Sequence, residues 1–404
     1  MSIGIQRTNV DKLGDYLLSW TALGQFFLAV VQTFLIDSGL FLEETAGMFR
    51  VMGSAVLVVA SLRWVLGRKA VLSLVTYMLL MILFLFSIAM NSDNMEYVMS
   101  DGIRITACTV IPVFLSLASI RDMKVFHLAA LHISLATSFV GIFYMFFSLT
   151  GRLPGKLLYN MNFGYSLLFP ALYLFFCRRP ILTFIAILLS LTIFIEGSRG
   201  PLVPIAVFIV LQHLLFGSIG RRFFFILLIL FGLSLLMSFL PVVIDWFDSV
   251  GLHSRTLALL ASGEMMENTG REAIYELAVS KMWERPFLGY GVFGDRVFLD
   301  GTYCHNIFLE LTIDFGVFVP ALLILSLLGL LLWILPKLSR ENLVFLLLLA
   351  VASIFPLCLS SSYLIDFRLF LFLGYVYKLY RKYSYKNRQH IVQGFSSNRV
   401  ELCS

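Results

Sequence analysis

A histidine followed by two carboxylates is the first feature of the chain that could perform chemistry. His305 is followed by Asn306, and two acids come after it at Glu310 and Asp314. Asn306, Glu310 and Asp314 are four residues apart, so in a helix they lie on one face. An imidazole at near-neutral pH can act as a base or donate a hydrogen bond. A helix cap or an interfacial position is the alternative role for His305.

Arginines that could hold an anion are the second feature. Arg199 lies in the run EGSRGP at 196–201, where Gly and Pro permit a sharp reversal of the chain. Arg271 follows Gly270, and Arg255 lies earlier in the same polar stretch. A guanidinium binds phosphate or carboxylate through a planar fork that stays protonated. The alternative is that these arginines neutralise nearby acids or extend from the membrane into the interface.

These residues are carried by a chain that is mostly apolar. It has 404 residues, of which 59% are hydrophobic and 13% are charged, whereas a soluble domain is about 25% charged. The composition excludes a soluble globular enzyme, a disordered protein and a disulfide-built secreted module. A membrane-spanning helix needs about 20 apolar residues. The sequence therefore predicts an all-α polytopic membrane protein with about 12 transmembrane helices.

The predicted spans form one integral membrane domain over residues 1–404. The first span follows Arg7 and Lys12 without a small-residue cleavage site, which favours a retained span over a signal peptide. Residues 246–304 contain no run long enough to cross and are predicted to form one large loop with short helices, one of them over 272–283. The spans are predicted near 15–36, 47–66, 70–90, 102–120, 125–150, 160–177, 180–196, 200–217, 223–244, 305–335, 341–360 and 363–380.

The orientation follows from the distribution of Lys and Arg, which are concentrated in cytoplasmic loops. If the N-terminus is inside, 19 of the 30 cations and only five of the 24 acids fall on that side. The cations there include Arg63, Arg68, Lys124, Arg178, Arg179, Arg340 and six in the C-terminal tail, and the acids are Asp11, Asp15, Asp122, Glu341 and Glu401. Both termini are then cytoplasmic, residues 381–404 form a basic cytoplasmic tail, and the loop 246–304 between spans nine and ten is periplasmic. The predicted location is a bacterial inner membrane, with the candidate residues facing the periplasm.

Metal, disulfide and nucleic-acid chemistry are not expected. The five cysteines are scattered without a CxxC pair, which argues against a disulfide framework or a zinc site. The other histidines form no ligand-spaced set with His305, so we expect no metal and no cofactor. The net charge of +6 does not imply nucleic acid, because the charge is sorted by membrane side.

At these residues the chain resembles the O-antigen polymerase and ligase superfamily. Members of this superfamily are multi-span glycosyltransferases that use lipid-linked glycans on the outer side of the inner membrane. The resemblance covers residues 197–320 in order and spacing, and the layout of spans along the whole chain. The matching pieces are 198–201, 270–271, Trp283 with 286–291, and 303–310.

The resemblance implies a donor glycan on undecaprenyl diphosphate and a lipid-linked acceptor. The sugar–diphosphate bond would break, and Arg199, Arg271 and Arg255 would stabilise the charge that develops on the diphosphate. No metal is needed if arginines do this work. Inversion at the anomeric carbon is expected, because no carboxylate that could act as a nucleophile flanks the arginines.

The resemblance also implies roles around the histidine. His305 would orient or deprotonate the acceptor hydroxyl, while Glu310 would be either the base itself or a partner that raises the basicity of His305. Asn306, Trp283 and Tyr290 would contact substrate. Membrane lipids surround the spans, grooves between the spans would hold polyprenyl tails, and a chain-length regulator is a plausible protein partner.

Four functions are considered for this chain. Polymerisation of O-antigen repeat units is favoured, because the run from Arg255 through Arg271 to His305 is closer to the polymerases, and Val319 departs from the ligase pattern. The first alternative is a ligase that transfers the finished glycan to lipid A-core. A transporter or flippase would place charges at the bilayer midplane within inverted repeats, and neither is seen. A structural scaffold is the last alternative.

Overall fold

The computed structural model describes residues 8–150, 152–153, 161–196, 199–249 and 271–401, and every regular element in these residues is helical. This confirms the all-α prediction. A π-helix, Val98–Val110, joins α3 to α4. The helices are α1 (Asn9–Asp37), α2 (Glu43–Met90), α3 (Asn94–Tyr97), α4 (Ile111–Ser119), α5 (Met123–Leu149), α6 (Met161–Phe176), α7 (Pro180–Ile195), α8 (Arg199–Phe216), α9 (Ile219–Ser249), α10 (Glu272–Glu284), α11 (Gly294–Phe298), α12 (Ile307–Phe315), α13 (Phe318–Ile334), α14 (Arg340–Leu359) and α15 (Phe367–Glu401).

Long apolar helices account for much of the described chain. Six helical segments are long and apolar enough to span a bilayer, and three shorter apolar helices are found between residues 161 and 216. The protein is therefore an all-α membrane protein. The count of 12 spans and their orientation stay predictions.

Helix α2 contains two of the predicted spans in one helical stretch. Its 48 residues are interrupted by non-helical backbone only at Lys69. Arg68, just before the break, pairs with Asp11 at the start of α1, whereas Arg50 donates to Gln32 near the end of α1. Beyond the break, the hydroxyl of Ser87 donates a hydrogen bond to the carbonyl of Val292 at 2.7 Å. The first half of α2 is therefore antiparallel to α1, and the separate spans predicted over 47–66 and 70–90 meet at Lys69.

The predicted tenth span, 305–335, is wrong as a single helix. Helix α12 ends at Phe315 and α13 begins at Phe318, with Gly316 between them at a φ of +73°. A Cβ at Gly316 would overlap the backbone of Phe287, so close packing of the preceding loop against the chain causes the break. Helix α12, with nine residues, is too short to cross a bilayer.

One end of the helical bundle collects charges that were predicted to share the cytoplasmic side. Arg68 is buried between Asp11 and Asp15. Asp15 also accepts hydrogen bonds from the backbone N–H groups of Arg121 and Asp122, at 3.0 and 2.9 Å. These ion pairs and hydrogen bonds join the start of α1 to the break in α2 and to the turn before α5.

Candidate functional site

The glycine-rich run 286–291 binds the end of helix α12 through its backbone. The N–H groups of Tyr290 and Gly291 donate to the carbonyls of Ile313 and Asp314, at 2.8 and 2.9 Å. Gly289 has a φ of +66°, and a Cβ there would overlap the carbonyl of Ile313. Only glycine permits this approach, so the run fixes the far end of the helix that His305 and Asn306 precede.

Two aromatic residues predicted to contact substrate have different surroundings. Tyr290 is buried, and its hydroxyl donates to Glu284 at 2.8 Å. Trp283, in the last turn of α10, is 66% exposed. Packing within the protein is enough to explain a tyrosine at position 290. The ring of Trp283 is exposed and can contact a ligand.

Asn306 caps helix α12. Its Oδ1 atom accepts hydrogen bonds from the backbone N–H groups of Phe308 and Leu309, at 3.0 and 3.4 Å. This is the ordinary chemistry of an N-cap. The substrate contact of Asn306 stays a prediction. The amide nitrogen is the side-chain atom that would make it, because Oδ1 is used by the cap.

His305 adopts a left-handed backbone conformation, with a φ of +53°. A residue other than glycine is uncommon in this region, and such conformations concentrate at functional sites. Its ring lies against Tyr303, with 4.4 Å between the ring centroids. Its Nδ1 atom is buried and has no hydrogen-bond partner within the described ranges.

Arg271 and His305 meet at the carboxyl end of helix α14. Arg271 donates from Nη1 to the carbonyl of Leu359, and Tyr303 donates to the carbonyl of Ser360 at 2.9 Å. Burial, and then the charge of Arg271, lower the pKa of His305 below its ordinary 6.5. The structure therefore brings together two predicted site residues that are 34 positions apart in the sequence.

The remaining predicted arginines are described in part or not at all. The backbone of Arg199 begins helix α8, but its side chain lies outside the described part of the structure. Arg255, together with Ser198 and Gly270, lies outside the described residues. Their predicted contacts with the diphosphate stay predictions.

A buried charge cluster lies beside this site. Arg296 is 1% exposed and reaches Asp101 at 3.3 Å, Asp295 at 3.2 Å and Glu310 at 3.6 Å. Asp314, four residues after Glu310, is also fully buried, as the shared helix face predicts. One guanidinium thus serves several carboxyl groups in a water-poor environment.

Glu310 is held by groups other than His305. Its carboxylate accepts hydrogen bonds from the hydroxyl of Ser362 and, at 3.2 Å, from the backbone N–H of Tyr363. Burial and the neighbouring Asp295 raise the pKa of Glu310 to about 8. The same two causes raise the pKa of Asp314, whose carboxylate accepts from the Tyr363 hydroxyl at 2.7 Å. The cluster therefore holds protons near neutral pH.

Sequence reasoning gave no role to Asp295, Arg296, Ser362 or Tyr363. A signal was present in the run GYGVFGDRVFL at 289–299, where one acid–base pair interrupts apolar residues. Charged residues are almost never fully buried unless they are paired. An adjacent Asp–Arg pair inside an apolar run therefore indicates a buried ion pair.

No described group of three or more His, Cys, Asp or Glu side chains has the arrangement of a metal site. In a comparison with known families, residues 184–324 match the family model described as O-Antigen ligase. The match covers Arg199, Arg271, His305 and Glu310, and it confirms the resemblance to the O-antigen ligase and polymerase superfamily. Searches of curated proteins and of solved structures found no significant match.

Proposed function

We propose that this protein is a membrane glycosyltransferase, because residues 184–324 match the O-antigen ligase family, and that it polymerises repeat units carried on undecaprenyl diphosphate. The run from Arg255 through Arg271 to His305 and the departure at Val319 are what favour polymerisation over ligation. The observation that carries the proposal is the meeting of Arg271 and His305 at the carboxyl end of α14. Arg271 stays protonated and can bind an anion, and His305 has a neutral imidazole. In the transfer of a glycan from a diphosphate to a hydroxyl, Arg271 can stabilise the leaving group and His305 can accept the proton of the hydroxyl.

In the proposed reaction the acceptor hydroxyl attacks the anomeric carbon of the donor. The bond from that carbon to the diphosphate oxygen breaks, and the diphosphate leaves with the electron pair. Arg271 stabilises the charge that develops on the leaving group, and the sequence predicts the same role for Arg199 and Arg255. A single displacement of this kind inverts the configuration at the anomeric carbon.

The proton of the acceptor hydroxyl goes to His305 in this mechanism. The lowered pKa keeps the imidazole neutral near pH 7, which is the form that accepts a proton. Glu310 is fully buried and bonded to Ser362 and Tyr363. We therefore assign Glu310 a positioning role through the loop that contains Ser360 and place the base at His305. Trp283 and Asn306 line the approach for the glycan.

Ligation is the second candidate function, and the description of the matching family favours it. A ligase would transfer the finished glycan to lipid A-core by the same chemistry. The phenotype of a deletion strain separates the two. Loss of a polymerase leaves core that carries one repeat unit, whereas loss of a ligase leaves bare core and a lipid-linked polymer.

The proposal is tested by complementing a deletion strain and analysing its lipopolysaccharide on gels. Arg271→Ala and His305→Ala should each reduce polymer by about 100-fold or more, which is the usual cost of losing a group that stabilises charge in a transition state or a general base. Arg271→Lys should also fail if the planar fork is needed.

A matched control comes from α10, the helix that follows Arg271. Lys281 forms only a half-exposed ion pair with Glu284 at 2.8 Å, so Lys281→Ala should keep the full ladder. Membrane abundance of every variant is measured by immunoblot. A full ladder from an abundant Arg271→Ala protein would remove Arg271 from the mechanism.

A further inference from the structure

A basic cavity lies at the opposite end of helix α14 from His305. The cavity has a volume of about 700 Å³ and is lined by the first turn of α14, the first three turns of α5, the end of α6 and the turn between α6 and α7. Helix α14 has 20 residues, so the two ends are separated by about 30 Å. The cavity is therefore separate from the proposed glycosyl-transfer site.

Positive charge dominates the rim of this cavity. Four cations, Lys124, Arg178, Arg179 and Arg340, face a single acid, Glu341. Within the residues that the structure describes, Lys124 and Arg179 form no ion pair, and both are exposed. The four cations outnumber the single carboxylate of Glu341, and like charges repel one another unless an anion binds between them.

The backbone adds further positive potential. Helices α5, α7 and α14 all begin at the cavity, at Met123, Pro180 and Arg340. Each helix start carries a partial positive charge and N–H groups without helical partners. The side chains of Asp122 and Ser339 cap two of these starts, whereas the start of α7 has no side-chain cap.

The walls behind the cations are apolar. The lining includes Leu128, Leu131, Leu182, Val344, Tyr173 and Phe176. Leu128 is half exposed, on the outer surface of the helices. A ligand that fits has an anionic head for the rim and a hydrocarbon part for the walls, which is the chemistry of a membrane phospholipid.

We propose that this cavity binds the phosphate headgroup of an anionic membrane lipid. Basic pockets between membrane helices on the cytoplasmic side bind such headgroups, and the cavity is formed by residues predicted from the charge distribution to lie on that side. Phosphate accepts hydrogen bonds from Arg179, Lys124 and the first N–H groups of α7, while the acyl chains pack on Leu128 and Leu131. A soluble phosphate ester shares the headgroup chemistry but would leave the apolar walls uncovered.

The test uses the full-length protein in detergent and native mass spectrometry with added lipid. Phosphatidylglycerol should remain bound at concentrations where phosphatidylcholine with the same acyl chains does not. The double variant Lys124→Gln/Arg179→Gln should bind phosphatidylglycerol about thirtyfold more weakly, since each cation near a lipid phosphate contributes about a factor of five. Arg340 is left unchanged, because it donates to the carbonyl of Phe216.

The matched control is Arg63→Gln/Lys382→Gln, which removes two exposed cations from the same predicted face but away from the cavity. It should bind phosphatidylglycerol like the unchanged protein. The Tm without added lipid should be the same for all variants, and the rise of Tm with phosphatidylglycerol should be lost only in the cavity variant. Equal lipid binding by both double variants overturns the proposal. An equal rise of Tm with glycerol phosphate alone overturns the assignment to a lipid.

Discussion

His305 is the residue whose local geometry and chemistry point most directly to a role. Its left-handed backbone lies between Cys304, whose backbone N–H donates to the carboxylate of Asp295 at 3.0 Å, and the N-cap residue Asn306. Strain of this kind costs about 1–3 kcal/mol and persists only where the surroundings enforce it. The surrounding contacts thus hold the imidazole beside Arg271 before any substrate arrives.

The pH dependence of the reaction distinguishes His305 from Glu310 as the base. The pKa of His305 lies below 6.5, so its neutral form persists as pH falls towards that value. Initial rates measured between pH 5 and 9 should therefore rise with pH, with a midpoint below 6.5. The pKa of Glu310 is raised to about 8. A midpoint near 8 would assign the base to Glu310 instead.

Arg296 is expected to matter for stability more than for chemistry. Arg296→Met leaves Asp295 and Glu310 buried without their cation, and removing one partner of a buried pair costs about 3–5 kcal/mol. The Tm of the purified protein should fall accordingly. The guanidinium lowers the pKa values of both carboxyls, so without it the pKa of Glu310 rises further above about 8 and that of Asp295 rises as well. The loss of Tm should therefore be largest above pH 8 and should shrink as pH falls and protons neutralise the carboxyls in both proteins.

The control for this prediction is Arg285→Met, which removes a nearby exposed arginine stacked at 4.7 Å on the ring of Tyr290. Its Tm should change little at any pH. A similar loss for both variants would mean that the buried cluster is not what Arg296 stabilises.

At the scale of elements, the run 286–291 and helix α12 form one unit that positions the start of α12. The run binds the last carbonyls of α12, and Val317 donates back to the carbonyl of Pro286 at 2.8 Å. The glycines of the matching motif therefore have a packing explanation. The motif indicates a site because it fixes a helix end, and its own side chains need not touch the substrate.

Glycine substitutions measure this packing. Gly289→Ala places a Cβ against the carbonyl of Ile313 at a φ of +66°, so we expect a Tm loss equivalent to at least about 1–3 kcal/mol. Gly329 lies in α13 with open space around it, and Gly329→Ala should leave the Tm unchanged or slightly raised. An unchanged Tm for Gly289→Ala would contradict the proposed backbone contact.

At the scale of the whole molecule, charge is sorted between two ends. Arg68, Asp15 and the basic cavity lie at one end, whereas Arg271, His305 and the buried cluster lie at the carboxyl end of α14. The arrangement agrees with a cytoplasmic basic face and a periplasmic site, and this sidedness is itself testable.

Cysteine labelling tests the sidedness directly. Lys281→Cys should react with a membrane-impermeant maleimide in intact spheroplasts, because the loop 246–304 is predicted to be periplasmic. Arg340→Cys should react only after the membrane is disrupted. The unsubstituted chain, with its own five cysteines, is labelled in parallel as the background. The reverse pattern would invert the predicted orientation and place His305 in the cytoplasm.

The sequence by itself determined the membrane class, the family resemblance and the choice of Arg271, His305 and the face shared by Glu310 and Asp314. Composition and helical spacing are local properties of a chain, so they can be evaluated without a fold. Only the tertiary structure decided that the span predicted at 305–335 breaks at Gly316, that Tyr290 is packed away and that Arg296 lies among buried carboxyls. Burial and close backbone approach depend on contacts between segments far apart in the chain, and no spacing rule contains that information.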